Sequence, residues 1–255
     1  MSVYITGDIH ADPIRFNTSN FPEQKEMTKD DYVIILGDFG LVWDEAESKS
    51  EKWWLDWLED KPFTTLFIDG NHENFDRLNS CPVEEWHGGK IHKIRPTVIH
   101  LMRGQVFNIA EKQFFTFGGA SSHDISDGIL DGYSEDLNKQ IRKMRNKGKY
   151  MYRINHISWW SQELPNEEEM SEGIINLEKN NNKVDYILTH SPYSAMLRHM
   201  DGGLGLYQSD CLTDYLQKIK QTVDYKQWMF GHMHNNQNYY WERSSCLYEQ
   251  IVRIL

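Results

Sequence analysis

Leu66-Phe67-Ile68-Asp69-Gly70-Asn71-His72-Glu73 places polar side chains directly after a short apolar run. Asn71 and His72 are unusual choices for packing, because both side chains need polar partners once they are buried. The pair makes chemical sense if Asn71 offers its carbonyl oxygen to a metal ion while His72 stays free for proton transfer. A single stretch of this kind is weak evidence for a metal site. It becomes informative only if the same arrangement is found elsewhere in the chain.

The same arrangement recurs four more times along the chain. Each apolar run is short, rich in β-branched and aromatic residues, and followed by a metal-competent side chain, which favours buried strands over helices. Ligands bind outside the carboxyl ends of strands in open α/β sheets, so five such ends can supply one crevice. The runs are 3–6 before Asp8 and His10, 33–36 before Asp38, 66–68 before Asn71 and His72, 186–189 before His190, and 228–230 before His232 and His234.

Length and composition favour one α/β domain, residues 1–255. The 255 residues are 39% hydrophobic and 25% charged, as in soluble globular proteins. Twenty-seven basic and 38 acidic residues give a net charge of −11, which disfavours non-specific nucleic acid binding. Cys81, Cys211 and Cys246 are too far apart to suggest a disulfide framework. We expect a cytoplasmic protein, because no signal peptide or membrane-length apolar run is present.

Amphipathic spacing predicts helices over residues 48–59, 167–177 and 210–220. In the first helix, Trp53, Trp54 and Trp57 are expected in the core rather than in a substrate platform. The acidic run 167–169 suits the first turn of the second helix and is interpreted as solvated.

Short apolar segments also predict further strands. The segments 98–101, 106–109 and 114–117 predict an antiparallel meander. A second strand set is expected through 239–241 and 248–255. Together these patterns predict two sheets packed face to face with helices outside.

The segment 138–149 departs from the acidic background, since six of its twelve residues are basic and none is acidic. A solvated helix face within an insertion around 125–158 is the favoured interpretation, and a functional basic flap is the alternative.

The polar residues after the strands form a coherent ligand set. Individually, an Asp after Gly suits a turn, and a single His is usually a hydrogen-bonded loop residue. Together, carboxylate, imidazole and amide oxygen suit Mn²⁺, Fe²⁺ or Zn²⁺, and the lack of Cys argues against structural zinc. With one bridging carboxylate, seven donors supply two ions with four contacts each. The donors are Asp8, His10, Asp38, Asn71, His190, His232 and His234.

This ordered series resembles the calcineurin-like dinuclear metallophosphoesterase superfamily over residues 7–234. The resemblance implies a four-layered α/β-β/α sandwich around two mixed β-sheets. It also implies two divalent ions, Mn²⁺ foremost, with Fe²⁺, Fe³⁺, Zn²⁺ or Ni²⁺ as alternatives. In the implied assignment, Asp8, His10 and His234 hold one ion, Asn71, His190 and His232 hold the other, Asp38 bridges both, and His72 is the non-ligand acid beside the phosphate.

A charge count supports a phosphate substrate independently. Two divalent ions with Asp8 and Asp38 leave a charge of about +2, or about +1 with a bridging hydroxide. Such a hydroxide can attack phosphorus in line, and His72 can protonate the leaving alkoxide.

Some residues of this chain differ from those of known subfamilies, which makes a dedicated phosphoprotein phosphatase less expected. Protein serine/threonine phosphatases of the superfamily carry Asp and Arg three and four residues after the bridging Asp, where this chain has Leu41 and Val42. The segment 118–124, of the form Gly-Gly-Ala-x-Ser-x-Asp, and the pair Trp159-Trp160 are similar to small bacterial and phage metallophosphoesterases.

Polar residues in and after that segment are candidates for contacting substrate or supporting the ligands, with turn formation and capping as an equal alternative. Arg153 is singled out because it can replace the missing phosphate clamp. The candidates are Ser122, His123, Asp124, Arg153 and His156, together with Asn71.

The predicted function is hydrolysis of phosphomonoesters or phosphodiesters of small molecules or nucleotides. A protein serine/threonine or broad-specificity phosphatase is the alternative. A non-enzymatic scaffold is a third reading, disfavoured because all seven donors and His72 are present. The oligomeric state is left open.

Overall fold

The computed structural model describes all residues, Met1–Leu255. The strands are β1 (Val3–Thr6), β2 (Tyr32–Leu36), β3 (Thr64–Ile68), β4 (Val83–Trp86), β5 (Gly89–Arg95), β6 (Val98–Leu101), β7 (Gln105–Ile109), β8 (Lys112–Phe117), β9 (Gly128–Leu130), β10 (Tyr152–Ile154), β11 (Tyr186–Thr189), β12 (Gln227–Phe230), β13 (Gln237–Tyr239), β14 (Ser244–Cys246) and β15 (Val252–Arg253). The α-helices are α1 (Lys49–Glu59), α2 (Phe75–Ser80), α3 (Leu137–Asn146), α4 (Glu167–Lys179), α5 (Ser194–Asp201) and α6 (Cys211–Thr222).

Two large mixed sheets form the centre of the molecule. The first has the order β15-β1-β2-β3-β6-β5-β4, and its four strands β1, β2, β3 and β6 run parallel. The second has the order β13-β14-β12-β11-β8-β7, with β14, β12, β11 and β8 parallel. Antiparallel strands lie at the edges of both sheets.

Three hydrophobic clusters define four layers. Ile34, Leu66, Phe114 and Met229 belong to a cluster that contains residues of both sheets, so it fills the space between them. The other face of the first sheet packs with Leu55 and residues of α1 and α2. The other face of the second sheet packs with α4, α5 and α6. The predicted order of helices, sheet, sheet and helices is therefore confirmed. None of the helices is both long and apolar enough to cross a bilayer.

The antiparallel meander predicted over 97–118 is wrong in its first strand. β7 and β8 pair antiparallel in the second sheet, but β6 is parallel to β3 in the first sheet. The chain crosses between sheets over three residues, since Met102 N–H donates to Lys90 in the first sheet and Gly104 N–H donates to Thr116 in the second. Period-two alternation cannot show this change of partner, because both sheets present the same pattern.

The tryptophans of α1 do not form its core face as expected. Leu55 and Leu58 are fully buried, whereas Trp53 is 58% exposed. Trp54 and Trp57 lie between these extremes and pack at the margin of the outer cluster. The helix itself begins as predicted, because Ser48 and Glu51 form a reciprocal capping box.

The strands expected near the C-terminus are shorter than predicted. β13 ends at Tyr239, and the following residues 240–242 form a 3-10 turn in which Tyr240 and Trp241 are exposed. Within 248–255 only β15 is a strand. The aromatic residues Tyr240 and Trp241 led to the prediction of a strand, although they are exposed in a turn.

The segment 125–158 contains a separate two-stranded parallel sheet, β9 and β10, and the helix α3. α3 has no buried residue. Of the six basic residues in 138–149, only Lys149 forms an ion pair, with Asp127. The basic segment is thus a solvated helix face followed by a turn.

Candidate metal centre

Five parallel strands, three from one sheet and two from the other, end at one place. β1, β2 and β3 lead to donors in the first sheet, and β11 and β12 lead to donors in the second. All seven predicted donors are therefore delivered by backbone that is anchored in a sheet. The confirmed strand ends are followed by Asp8 and His10, Asp38, Asn71, His190, and His232 and His234.

Glycines make this convergence sterically possible. A side chain at Gly37 would overlap the His190 ring, and one at Gly231 would overlap the carboxyl of Asp8. The same holds for Gly70 against Asp38. These glycines are needed for the close approach of the neighbouring strand ends, and Gly37 also has a positive φ of 93°.

Several donors have unusual backbone angles. His10, Asp38, His232 and His234 have φ of 45°, 45°, 62° and 46°. This left-handed region costs a non-glycine residue about 1 kcal/mol or more and is concentrated at functional sites. Four such residues in one cluster indicate that the surrounding sheets hold the donors in place.

One group of donors consists of Asp8, His10 and His234. Asp8 Oδ2 lies 3.2 Å from His234 Nε2 and 3.8 Å from His10 Nε2. The two Nε2 atoms are 3.0 Å apart. Donors at about 2.1 Å from a common ion lie about 3.0–3.4 Å from each other at angles of about 90–110°. Two of the three separations fall in this range, and the third exceeds it by about 0.4 Å.

A second group consists of Asp38, His190 and His232. His190 Nε2 lies 3.4 Å from Asp38 Oδ1, while His190 Nδ1 donates to the Leu36 carbonyl at 2.7 Å. That hydrogen bond leaves Nε2 as the free donor atom. The other oxygen, Asp38 Oδ2, lies 3.8 Å from His10 Nε2. Asp38 therefore lies between the two groups.

Buried atoms without hydrogen-bond partners show that the residues fit a cation. Asp8 Oδ2, Asn71 Oδ1 and His190 Nε2 are all buried and form no hydrogen bond of normal geometry, although Asp8 Oδ2 and His190 Nε2 each lie near an oppositely charged side chain. Leaving such a group unsatisfied costs about 1–3 kcal/mol, so three in one place need an explanation. Each can act as a metal ligand, and bound cations would satisfy all three.

His72 also faces this centre. It belongs to a third close group with His10 and Asp38. Its backbone N–H donates to Asp38 Oδ1 at 2.8 Å, and its ring lies 5.9 Å from the Trp43 ring. Burial lowers the pKa of His72, and the Asp38 carboxylate opposes that change. Proximity alone therefore does not separate His72 from the ligands.

The carboxylates and imidazoles of the centre are electrostatically interdependent. Burial would raise the pKa of Asp38, but His190 and the neighbouring histidines outweigh it and hold that pKa below its ordinary value. Burial would lower the pKa of His190, but Asp38 and Asp8 raise it to about 10. The two Asp side chains thus form a buried negative site that attracts a cation.

Glu73, which had no role at the level of sequence, supports the loop after β2. Its side chain is fully buried and accepts N–H groups from Phe39 at 2.7 Å and Gly40 at 3.3 Å. Burial raises the pKa of Glu73 well above its ordinary value. Its contacts fix the backbone directly after Asp38.

A second buried network was missed entirely. Asp69 is 1% exposed and forms an ion pair with Arg103, whose Nε donates at 2.8 Å. His100 Nε2 lies 3.2 Å from the other carboxylate oxygen. This network anchors the exit of β3 just before Asn71. In the sequence, the one indication of this network is that Asp69 lies within the stretch 66–73, just before Asn71.

The candidate substrate residues are divided between two cavities. A cavity of about 390 Å³ beside the donors is lined by His123, Asp124 and Arg153, as well as Tyr207. Arg153 Nε lies 2.8 Å from both oxygens of Asp124. His123 Nε2 lies 3.0 Å from His232 Nε2.

His156 lies elsewhere. It lines a cavity of about 670 Å³ together with Trp43 and Tyr133. Its Nδ1 is 2.7 Å from Asp76 Oδ2, which also accepts from the Trp160 indole at 2.7 Å. His156 therefore joins the segment 125–158 to the start of α2. Tyr207 was not foreseen, because nothing in its local sequence marks it.

A family model described as calcineurin-like phosphoesterase matches residues 1–236. The chain belongs to the calcineurin-like phosphoesterase family. As a calcineurin-like phosphoesterase it is a metal-dependent phosphoester hydrolase whose family implies divalent ions.

Two further comparisons add little to the family assignment. A phosphopantetheinyl hydrolase (PptH) from Mycobacterium tuberculosis is similar over 100% of this chain and 95% of its own, with 14% identity and a TM-score of 0.46. No curated protein sequence matches the chain.

Proposed function

We propose that this calcineurin-like phosphoesterase uses two divalent ions, Mn²⁺ foremost, to hydrolyse phosphate esters of small molecules or nucleotides. The observation that carries the proposal is the convergence of three buried, unpartnered donor atoms, on Asp8, Asn71 and His190, at the ends of two sheets. Asp8, His10 and His234 would hold one ion, and Asn71, His190 and His232 the other. Asp38 would serve both, because its two oxygens face different groups.

The ions would supply positive charge and a water of lowered pKa when bound. The chain supplies the geometry around them. Asp8 and Asp38 contribute only two negative charges, and Asn71 is neutral, so the centre keeps a net positive charge of about +2 for a phosphate group.

His72 would deliver a proton to the leaving oxygen. Its ring lines the cavity of about 390 Å³ next to the donors, and Trp43 packs against it. A bound phosphate would place negative charge beside the ring and favour the imidazolium form, against the effect of burial. His72 can then act as the general acid.

Arg153 would bind the phosphate oxygens. Its side chain is 16% exposed and lines the same cavity. Asp124 and the Ser158 carbonyl fix its Nε and one terminal nitrogen, and the remaining terminal nitrogen has no partner. A guanidinium held in this way is preorganised for an anion.

Two features support the proposal of small substrates over phosphoproteins. Leu41 and Val42, which stand where protein phosphatases carry polar residues, are 1% and 3% exposed and pack in the outer core. They cannot contact a phosphate. A cavity of about 390 Å³ is in the size range of small-molecule sites.

A substrate panel with Mn²⁺ supplied tests the proposal. It contains p-nitrophenyl phosphate, bis-p-nitrophenyl phosphate, nucleotides and phosphopeptides. We expect hydrolysis of the small esters with phosphopeptides poorest. Phosphopeptides as the best substrates would favour the protein phosphatase alternative, and no hydrolysis of any ester by metal-loaded protein would favour the non-enzymatic scaffold.

Replacing Arg153 tests the phosphate clamp. Arg153→Ala should raise KM for p-nitrophenyl phosphate about tenfold or more, because one charge-assisted contact to the phosphate is lost. Arg142→Ala, on the solvated face of α3, is the matched control and should leave KM unchanged. Equal KM values for Arg153→Ala and the wild type would show that Arg153 does not bind the substrate.

A further inference from the structure

Asn71 depends on a neighbour to aim its oxygen at the centre. An amide presents an oxygen on one side and an NH₂ group on the other, and only the oxygen can bind a metal ion. Asn71 is 4% exposed, its Nδ2 donates to Ser122 Oγ at 3.4 Å, and its Oδ1 has no partner. The Asn71 side chain therefore has one protein contact, with Ser122, that can hold its oxygen toward the ligands.

Ser122 alone does not fix that choice. A hydroxyl can accept a hydrogen bond from Asn71 Nδ2, or it can donate one to Asn71 Oδ1 after a flip of the amide. The two arrangements have opposite consequences, since the second turns the NH₂ group toward the ions. Another group must make Ser122 act as the acceptor.

Glu163 lies where such a group is needed. It is 2% exposed, and its Oε2 accepts the Ser122 backbone N–H at 3.2 Å. This contact holds Ser122 against the Glu163 carboxyl, within reach of the Ser122 hydroxyl. When Ser122 Oγ–H points to Glu163, the hydroxyl oxygen is left to accept from Asn71.

The other oxygen of Glu163 has no evident structural purpose. Glu163 Oε1 is buried without a hydrogen-bond partner. A buried carboxyl of this kind costs several kcal/mol relative to an apolar side chain that fills the same space. Accepting the Ser122 N–H uses only one oxygen, so that contact does not account for the buried second oxygen.

We propose that Glu163 is a positioning residue that, through Ser122, orients the Asn71 carbonyl oxygen toward its metal ion. The inference rests on the proposed function, in which Asn71 is a ligand. It goes beyond that function because Glu163 is 41 residues from Ser122 in sequence and is neither a proposed ligand nor part of the lining of the cavity of about 390 Å³.

Metal affinity of the ion-free protein tests the proposal without reference to turnover. Mn²⁺ is titrated calorimetrically into chelator-treated protein, and the constants of the two sites are fitted. Glu163→Met retains the size of the side chain and removes its acceptors, so one site should weaken about 10–100-fold, the usual effect of losing such a supporting contact. Glu163→Gln retains an acceptor and should remain close to the wild type.

The role of Ser122 is tested by coupling. Ser122→Ala should weaken the same site to a similar degree as Glu163→Met. The double variant should be no weaker than either single one, because both break one chain of contacts, whereas independent effects of tenfold each would multiply to about 100-fold. Ser121→Ala, a neighbour without a side-chain hydrogen bond, is the control and should bind like the wild type.

The outcomes separate this inference from the proposed function. If wild-type protein binds two Mn²⁺ ions and Glu163→Met binds them equally tightly, the positioning role is overturned and the metal centre stands. If wild-type protein binds no Mn²⁺, the proposed function itself fails. Thermal unfolding of the ion-free variants verifies that they are folded, and Glu163→Met should keep a single cooperative transition although the Ser122 N–H loses its acceptor.

Discussion

Asn71 and His72 are adjacent in sequence and present different groups to the centre. Asn71 directs an unpartnered oxygen inward, whereas His72 places its ring on the wall of the cavity beside Trp43. A carboxylate in place of Asn71 would remove one positive charge from the site and weaken its attraction for phosphate. The neutral amide therefore suits a centre that binds an anion.

Replacing His72 tests its role as an acid rather than a ligand. His72→Ala should retain both ions and lose most activity on alkyl phosphates, whose leaving groups need a proton, with a smaller loss on p-nitrophenyl phosphate. The ratio of kcat values on the two substrates is the measurement. Equal losses on both would argue against proton transfer, and loss of one ion would make His72 a ligand.

The metal-donor residues could be predicted from the sequence more readily than the buried residues that hold them in place. Each donor follows its own strand end, so the signal is local and can be seen without the fold. Glu73, Asp69 and Glu163 act on residues 34 to 41 positions away, on Phe39, Arg103 and Ser122 respectively. Local sequence does not encode such contacts, and these residues were accordingly missed.

At the level of elements, strand-end turns determine the geometry of the centre. Gly231 directly follows β12, at a position where a side chain would overlap Asp8 and approach the Leu36 carbonyl to 2.6 Å. Gly231→Ala should therefore displace Asp8 or β12, cost about 1–3 kcal/mol of stability, and weaken metal binding. Chemical denaturation and Mn²⁺ titration measure the two effects.

Gly202→Asn is a suitable control for that substitution. Gly202 has a positive φ of 62° at the end of α5, and an added Cβ would have open space. Asn tolerates this conformation, so metal affinity should not change. If Gly231→Ala behaved like this control, close approach of the strand ends would not be required.

The predicted meander was wrong because the sequence does not determine which strand β6 pairs with. β6 and β7 are both short and apolar, and only the switch of hydrogen bonding at Met102 and Gly104 assigns them to different sheets. The five strands leading to the donors were predicted correctly, because each combined a buried run with a sharp polar end.

In the molecule as a whole, the metal centre lies where the two sheets meet. Buried histidines nearby make the free energy of unfolding depend on pH. His92 is 2% exposed, and burial, followed by the charge of His100, lowers its pKa to about 4 despite Asp69. The unfolded chain, with an ordinary His pKa of 6.5, takes up this proton first. Stability from this group is therefore complete above about pH 6.5 and is lost as pH falls towards about 4.

This pH dependence can be measured by denaturation of chelator-treated protein between pH 4 and 7. The shift corresponds to about 3 kcal/mol, and His92→Gln should flatten the slope over that range. His199→Gln, at an exposed histidine, is the control and should leave the slope unchanged. An unchanged slope in His92→Gln would mean that other groups cause the acid sensitivity.

The proposed centre holds two ions that share Asp38, and counting the metal bound to Asp38→Asn examines this sharing without reference to any substrate. Chelator-treated protein is reloaded with Mn²⁺, and bound metal and p-nitrophenyl phosphate hydrolysis are measured together. The wild type should bind two ions per chain and regain activity. Asp38→Asn should lose affinity for both ions and show no measurable activity, because its two oxygens face different donor groups. Near-normal metal content and turnover in Asp38→Asn would show that Asp38 does not bridge two ions.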